Sequence, residues 1–155
     1  YCSFKISYGS IIFRKNKRLK MILGIGTDII DITRIKNTIQ KYGDKFKQRC
    51  FSEHEIKRSE SKINSVESYA KRYAAKEACA KALGTGLARG VFWKDIEIIN
   101  NEHGKPILIL HNKAFKFLSE MTKRKKKIEV SMSDERNYAI ANVIIFDNEK
   151  TKQFS

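Results

Sequence analysis

The sequence predicts an α+β fold in which helices come first and an antiparallel sheet comes later. Three observations support this prediction. Apolar residues recur at helical spacing between residues 31 and 83, and alternating, strand-like segments follow at 93–110 and at 127–146. The chain has 155 residues, which suits one domain with its own core. We therefore expect a small single domain with a long central helix packed on the sheet.

The first elements follow from residue 21 onward. Residues 21–28 form a short, β-branched segment that predicts a buried strand. Asp31 then stands at the N-cap position of a helix whose apolar residues recur up to Gly43. A second, short helix is expected after Ser52, because Ser52 and Glu55 have the spacing of a capping box.

The longest helix is expected from about residue 66 to residue 83. Gly84 follows it and is suited to the position just after a helix end. The remaining elements are predicted as strands at 93–100 and 106–110, a helix at 112–122, and strands at 127–133 and 138–146.

The net charge of +15 predicts a negatively charged partner. Residues 1–20 contain six basic residues and no acidic one, which is typical of a transit-peptide remnant, with a disordered basic arm as the alternative. We place the domain at 21–148 and a frayed tail at 149–155.

No apolar run is long enough to span a membrane, so no membrane partner is expected. The three cysteines are widely spaced without a zinc pattern, which favours free thiols.

The long helix carries an acid and a base on one face, Glu77 and Lys81. An exposed pair of this kind stabilises a helix by only about 0.3–0.5 kcal/mol. The loop Gly84-Thr85-Gly86 can turn backbone N–H groups and the Thr85 hydroxyl toward an anion, although Gly84 is also explained as a helix cap. Asp31 is the expected cap of the next helix, so Asp28 is available for another role. Asp28 and Glu77 are therefore candidates for a partial magnesium shell beside a phosphate.

The chain resembles the holo-acyl-carrier-protein synthases, the small trimeric type of 4′-phosphopantetheinyl transferase. Five segments keep the order and spacing of that family: GIGTDIIDITRI, FSEHEI, YAAKEACAKALGTG, DIEIINNEHGKP and SMSD. The resemblance covers Met21 to about Ile145. It implies transfer of phosphopantetheine from coenzyme A to a serine of apo acyl carrier protein, with release of adenosine 3′,5′-bisphosphate, in fatty acid biosynthesis. It also implies a homotrimer with sites between subunits.

The resemblance implies roles for individual residues. Asp28 and Glu77 match magnesium ligands, and Lys81 matches a lysine beside the pyrophosphate, so these three are the expected catalytic residues, with Glu77 as the hypothetical general base. Contacts to the coenzyme are implied for Arg72 near the 3′-phosphate, for Gly84, Thr85 and Gly86, and for a neighbouring subunit's loop of Gly104, Lys105 and Pro106. Docking of the acidic carrier protein is implied for one helix bearing Arg34, Lys41 and Lys45.

Two positions depart from the family pattern. Asp134 stands where many members have a histidine near the coenzyme, and a carboxylate there would repel a phosphate unless it is paired or turned away. Tyr73 replaces the usual phenylalanine or tryptophan. A member that binds coenzyme A without catalysis is therefore one alternative.

The basic run at 122–127 suggests a second alternative, a nucleic-acid-binding module, although a solvated turn explains the run more simply. The carboxylates Asp28 and Glu77 would not help a protein bind a phosphate backbone, so we expect no nucleic-acid partner. If residues 1–20 are a transit remnant, a plastid location is expected, with the cytoplasm as the alternative.

Overall fold

A computed structural model describes residues 21–147, and the expectations for residues 1–20 and 149–155 lie outside the described residues. The described chain confirms the α+β class. The α-helices are α1 (Ile32–Tyr42), α2 (Asp44–Cys50), α3 (Glu53–Glu60), α4 (Ser65–Ala82) and α5 (Asn112–Met121). The strands are β1 (Ile22–Asp31), β2 (Ile96–Asn100), β3 (Pro106–Leu110), β4 (Lys126–Glu135) and β5 (Tyr138–Asp147).

The strands form two antiparallel sheets rather than one. The three-stranded sheet has the order β1-β5-β4, so the first strand of the domain pairs with the last. The hairpin β2-β3 forms the second sheet, and β3 lies next to β4. None of the helices in residues 21–147 combines the length and apolar character that crossing a membrane requires.

Several local signals are confirmed. Asp31 caps α1 by accepting a hydrogen bond from the Thr33 backbone N–H at 2.7 Å. The capping box of Ser52 and Glu55 starts α3. Gly84 follows the end of α4 with a φ of +73°, a conformation that glycine adopts without strain.

Three boundaries differ from the prediction. β1 extends to Asp31, because its pairing with β5 extends to the first residue of β5. Asp28 therefore lies inside the strand. The seven-residue helix α2 is too short to show a periodic pattern and was not predicted. Residues Trp93–Asp95 form a 3₁₀ turn instead of the beginning of β2.

The basic run at 122–127 is divided between a loop and a strand. Residues 122–125 connect α5 to β4, and Lys126 and Lys127 begin β4. The exposed Arg124 donates to Asp147 Oδ2 at 2.9 Å. The solvated turn therefore describes only the first part of the run.

Helix α4 contacts β1 so closely that only glycine fits between them. A Cβ atom on Gly26 would lie 1.9 Å from the carbonyl oxygen of Ala78, and one on Gly24 would lie 2.1 Å from that of Ala82. Both alanines are buried. Side chains alternate along a strand, so Asp28 shares the helix-facing side of β1 with Gly26. The close contact thus places Asp28 against α4.

The opposite side of the three-stranded sheet exposes several large apolar side chains, with the hydrogen-bonded pair of Thr27 and Asn142 between them. Ile25 and Ile29 of β1 are about 60% exposed, and β5 adds two partly exposed isoleucines and a tyrosine. We call these residues the outer sheet face: Ile25, Ile29, Tyr138, Ile140 and Ile144. An apolar patch of this kind marks an interaction surface in many proteins.

The cysteines of the described chain are free, as predicted. Cys50 and Cys79 are buried without a disulfide partner. Burial raises the pKa of the Cys50 thiol to about 11, so it is protonated at neutral pH. Cys2 lies outside the described residues.

A buried ion pair connects α4 to α3 and β2. The side chains of Lys76 and Glu55 are both 0% exposed. Lys76 Nζ donates to Glu55 Oε2 at 2.7 Å and to the carbonyl oxygens of Trp93 and Ile96 at 3.0 and 2.6 Å. Glu55 Oε1 accepts from the Ile98 backbone N–H at 3.1 Å. Burial lowers the pKa of Lys76, and the charge of Glu55 opposes that change.

Removing one partner of this pair is expected to cost much of the protein's stability. Lys76→Met should lower the free energy of unfolding by about 3–5 kcal/mol, because it leaves the Glu55 carboxylate buried without its cation. Urea denaturation measures the change. Lys116→Met is the matched control, since Lys116 forms an exposed ion pair with Glu120, and it should cost less than about 1 kcal/mol. A loss below about 1 kcal/mol for Lys76→Met would contradict the account.

Candidate active site

Three charged side chains from two elements meet where β1 contacts α4. Lys81 Nζ donates to Asp28 Oδ1 at 2.8 Å and to the carbonyl oxygen of Thr27 at 3.0 Å. The Asp28 side chain is 16% exposed, whereas that of Lys81 is 50% exposed. Lys81 therefore forms an ion pair with Asp28 of the strand, and the alternative of an ion pair with Glu77 within the helix is not observed.

Glu77 lies beside this pair and interacts electrostatically with both of its members. Burial raises the pKa of Glu77, the negative charge of Asp28 raises it further, and Lys81 opposes both effects. Within residues 21–147, Glu77 takes part in no hydrogen bond or ion pair. A half-buried carboxylate next to another carboxylate is the arrangement that a bound cation would stabilise.

The donor set fits a hard divalent cation. No group of three or more histidine, cysteine or acidic side chains in the described part of the chain is arranged to hold a metal ion. Asp28 and Glu77 would thus be the protein's ligands, and water and substrate phosphate would complete the shell. That division of ligands is typical of Mg²⁺, which is bound through one or two carboxylates.

The glycine loop after α4 does not offer its amides to an anion. The backbone N–H of Gly84 donates to the carbonyl oxygen of Lys81, and those of Thr85 and Gly86 both donate to that of Ala80. The Thr85 hydroxyl is buried and donates to Ala80 and Gly86 carbonyl oxygens. The predicted anion cradle is wrong in this respect, because the free carbonyls at the helix end take up these donors. Contact between this loop and the coenzyme stays a prediction. The space beside Gly84 and Gly86, where a side chain would lie, is open.

Arg72 lines a cavity of about 650 Å³. Its side chain is 5% exposed and donates to Ser68 Oγ and Asn100 Oδ1, both at 2.9 Å. Its Nε is the one buried side-chain nitrogen or oxygen without a partner among the described residues. Burial lowers the pKa of Arg72. Three further cations line the cavity, Arg58, Lys62 and Lys71, together with two carboxylates, Glu67 and Asp134. The cations outnumber the carboxylates, so the cavity is suited to a phosphate.

The second predicted loop reaches this cavity within a single chain. Gly104 and Pro106 line the cavity, and Asn100 Nδ2 donates to the Gly104 carbonyl oxygen at 2.9 Å. Lys105 instead points to β4, where its Nζ lies 2.8 Å from Glu129 Oε2. The contribution of a neighbouring subunit's loop stays a prediction. Asn100 was missed, and its only signal in the sequence is a polar residue at the end of an apolar strand.

The two residues that depart from the family pattern both have partners. Asp134 forms an ion pair with Lys71, and both side chains line the cavity of Arg72. The Tyr73 ring packs against Trp93 with 4.2 Å between centroids, and burial raises the pKa of its hydroxyl to about 12. The carboxylate of Asp134 is therefore not left unpaired beside a phosphate.

The predicted docking residues belong to two helices. Arg34 and Lys41 are exposed on α1 and share one face, since seven residues make about two turns. Lys45 is also exposed but lies on α2, because Gly43 ends α1 with a φ of +52°. The prediction that one helix carries all three is wrong for Lys45.

The two parts of the candidate site are separate within one chain. Asp28, Glu77 and Lys81 do not line the cavity of Arg72. Arg72 and Glu77 lie on different faces of α4, since five residues correspond to about 140° around a helix. A carboxylate pair suited to a metal and a cationic cavity together define a protein that binds a phosphorylated compound.

Comparisons with known proteins identify the family. The family model of the 4′-phosphopantetheinyl transferase superfamily matches residues 24–143. A holo-[acyl-carrier-protein] synthase of Rhizobium meliloti is 50% identical over 127 residues, which are 81% of this chain and 91% of that protein. The chain therefore belongs to the 4′-phosphopantetheinyl transferase superfamily, among the holo-[acyl-carrier-protein] synthases.

Solved structures agree with this assignment. The crystal structure of the Neisseria meningitidis holo-[acyl-carrier-protein] synthase is similar with a TM-score of 0.71 and 36% identity, over 81% of this chain and 98% of that one. The Bacillus anthracis enzyme, solved in complex with CoA (3′,5′-ADP), is similar with a TM-score of 0.67 and 35% identity, over 83% and 99%. The predicted family and fold are confirmed.

The charge of Glu77 is expected to cost stability in the metal-free protein. Its folded-state pKa is raised, so the folded protein binds more protons than the unfolded chain and loses stability as the pH rises from the unfolded to the folded pKa. Glu77→Gln should therefore melt at a higher temperature at neutral pH, by on the order of 2–4 °C. The difference should vanish near about pH 4, where the wild-type carboxyl is protonated.

Differential scanning calorimetry in chelator-treated buffer measures this difference. Glu120→Gln is the control, because that carboxylate is exposed on α5, and its melting temperature should stay close to that of the wild type. A Glu77→Gln variant that melts below the wild type at neutral pH would show that the carboxylate has a stabilising partner.

Proposed function

We propose that this protein transfers 4′-phosphopantetheine from coenzyme A to a serine of apo acyl carrier protein and releases adenosine 3′,5′-bisphosphate. The observation that carries the proposal is the carboxylate pair of Asp28 and Glu77 with Lys81 beside it. The Rhizobium meliloti relative is named for this activity, and the Bacillus anthracis structure contains the coenzyme.

The reaction is a displacement at the β-phosphorus of the coenzyme. The serine oxygen forms a bond to that phosphorus, and the bond from the phosphorus to the bridging oxygen breaks, so that adenosine 3′,5′-bisphosphate leaves. Positioning and charge neutralisation supply most of the catalysis in phosphoryl transfer. A Mg²⁺ ion held by Asp28 and Glu77 would neutralise the pyrophosphate and lower the pKa of the serine hydroxyl.

Side chains of the protein itself accept the serine proton and neutralise the charge of the phosphates. Glu77 has no hydrogen-bond partner among residues 21–147, so its carboxylate is available to receive the serine proton, directly or through water. Lys81 is half exposed next to Asp28, where its ammonium can contact the pyrophosphate and the leaving phosphate. Asp28 holds Lys81 in that position through the 2.8 Å hydrogen bond.

The remaining predicted residues bind the two substrates. Coenzyme A has one phosphate outside its pyrophosphate, at the 3′ position, and the separate cavity of Arg72 suits it. Arg34 and Lys41 on one face of α1 can attract the acidic carrier protein, and Lys45 on α2 adds charge nearby. Mutation of such surface charges usually changes the rate of association more than the chemistry.

A homotrimer with sites between subunits is the proposed assembly. Its support is the outer sheet face, whose exposed isoleucines would be unfavourable in water. A neighbouring subunit could also bring a second loop to the carboxylate pair, which the Arg72 cavity of the same chain does not reach. The plastid location stays a prediction. The relatives described above are bacterial, which agrees with the cytoplasmic alternative.

An intact-mass assay tests the activity. Incubation with apo acyl carrier protein, coenzyme A and Mg²⁺ should add the mass of one phosphopantetheine to the carrier. Asp28→Asn should slow the transfer by at least about 100-fold, because it removes a metal ligand and the partner of Lys81. A chelator should stop the wild-type reaction. Glu120→Gln is the matched control and should react like the wild type. No transfer by a folded wild-type protein would overturn the proposal.

Sedimentation velocity tests the trimer. Ile140→Asp places a charge in the outer sheet face and should convert the trimer to monomers, because an unpaired charge in an apolar interface is not tolerated. Phe115→Asp is the control, since Phe115 is exposed on α5 outside that face and outside the Arg72 cavity, and it should leave the assembly unchanged. A monomeric wild type, or an Ile140→Asp variant that assembles normally, would refute this assembly.

A further inference from the structure

Asp134, which stands where the family pattern has a histidine, forms an ion pair with Lys71 of α4. We infer that Lys71 is a ligand of the coenzyme's 3′-phosphate and that Asp134 is a positioning residue that holds the Lys71 ammonium at the cavity. This inference rests on the proposed function, because it names a contact to the same substrate.

The location of the pair supports this role. Lys71 precedes Arg72 on α4, and Asp134 lies near the end of β4, so the pair joins the helix to the sheet across the cavity wall. Both side chains line the cavity that Arg72 also lines. Each is about one-third exposed, which leaves the pair accessible to a ligand. Arg58 and Lys62 also line the cavity, but both are exposed.

The hydrogen-bonding capacity of the pair also supports it. An ammonium group has three donors, and among the described residues Asp134 is the ion-pair partner of Lys71. Two donors of Lys71, whose side chain is about one-third exposed, are then available to the oxygens of a phosphate. Asp134 alone would repel that phosphate, whereas the pair presents its cation to the cavity.

The phosphate in question is the one at the 3′ position. The pyrophosphate of coenzyme A must lie at Asp28, Glu77 and Lys81, because the reaction takes place there. These residues do not line the cavity of Arg72. The 3′-phosphate is the only other phosphate of the coenzyme, and the cavity suits its charge because four cations and only two carboxylates line it.

Titration calorimetry with coenzyme A and with 3′-dephospho-coenzyme A, in the presence of Mg²⁺, tests the inference. Lys71→Met should raise the Kd for coenzyme A about tenfold or more and change the Kd for the dephospho compound less than about twofold, because only the former carries the contacted group. Lys116→Met is the matched control, since its lysine also forms an ion pair on a helix surface but lies outside the cavity. It should change neither Kd.

A double variant of Lys71 and Asp134 distinguishes two roles of Lys71: direct contact with the phosphate, and neutralisation of the Asp134 charge. If Asp134 acts through Lys71, then Asp134→Asn should weaken coenzyme A binding less than Lys71→Met does, and the double variant should bind like Lys71→Met alone. Recovery of wild-type affinity in the double variant would show that Lys71 only neutralises Asp134, and would overturn the inference. Lys71→Arg keeps the charge and should bind coenzyme A within about threefold of the wild type.

The outcomes distinguish the inference from the proposed function. A wild-type protein that binds neither compound contradicts both. A wild-type protein that prefers coenzyme A, with a Lys71→Met variant that keeps this preference, contradicts the inference alone. If Lys71→Met does not fold, Lys71→Gln replaces it, and the same comparison of the two compounds decides.

Discussion

The close contact between α4 and β1 is the constraint on which the rest of the site depends. Gly24 and Gly26 leave no space for a side chain against the helix carbonyls, and the small alanines of α4 let the two backbones approach. This contact places Asp28 of the strand beside Glu77 and Lys81 of the helix. A methyl group at either glycine would push the elements apart and separate the carboxylates. The glycines are therefore part of the chemistry although they carry no functional group.

The other face of α4 is held by a different interaction. The buried pair of Lys76 and Glu55 joins the helix to α3 and β2 with hydrogen bonds at both ends, so neither charge lacks a partner. Arg72 lies one turn before Lys76 on the same helix and reaches Asn100 at the end of β2. Helix α4 thus presents Glu77 to Asp28 of β1 on one side and Arg72 to the cationic cavity on the other. The separation of these two parts within one chain is the structural argument for a site shared between subunits.

The sequence predicted the features that depend on local geometry. The caps at Asp31 and Ser52 and the helix end at Gly84 follow from backbone donors and acceptors near in sequence, and all three are confirmed. The buried position of Lys76 was not predicted, because nothing local in the sequence shows that Glu55 and two carbonyl oxygens surround it. Similarly, the partner of Lys81 is on a distant strand. The loop after α4 was a candidate anion site, because the sequence does not show that its backbone N–H groups donate to carbonyl oxygens at the end of the helix.

The central claim is that Asp28 and Glu77 form one metal site in the folded chain. Electron paramagnetic resonance of bound Mn²⁺, used in place of Mg²⁺, measures this most directly in the wild type, Asp28→Asn and Glu77→Gln. The account predicts one Mn²⁺ per chain in the wild type, bound more tightly when coenzyme A is present, and at least about tenfold weaker binding in either variant. Equal Mn²⁺ binding by the wild type and both folded variants would contradict the claim, because the metal would then be held elsewhere.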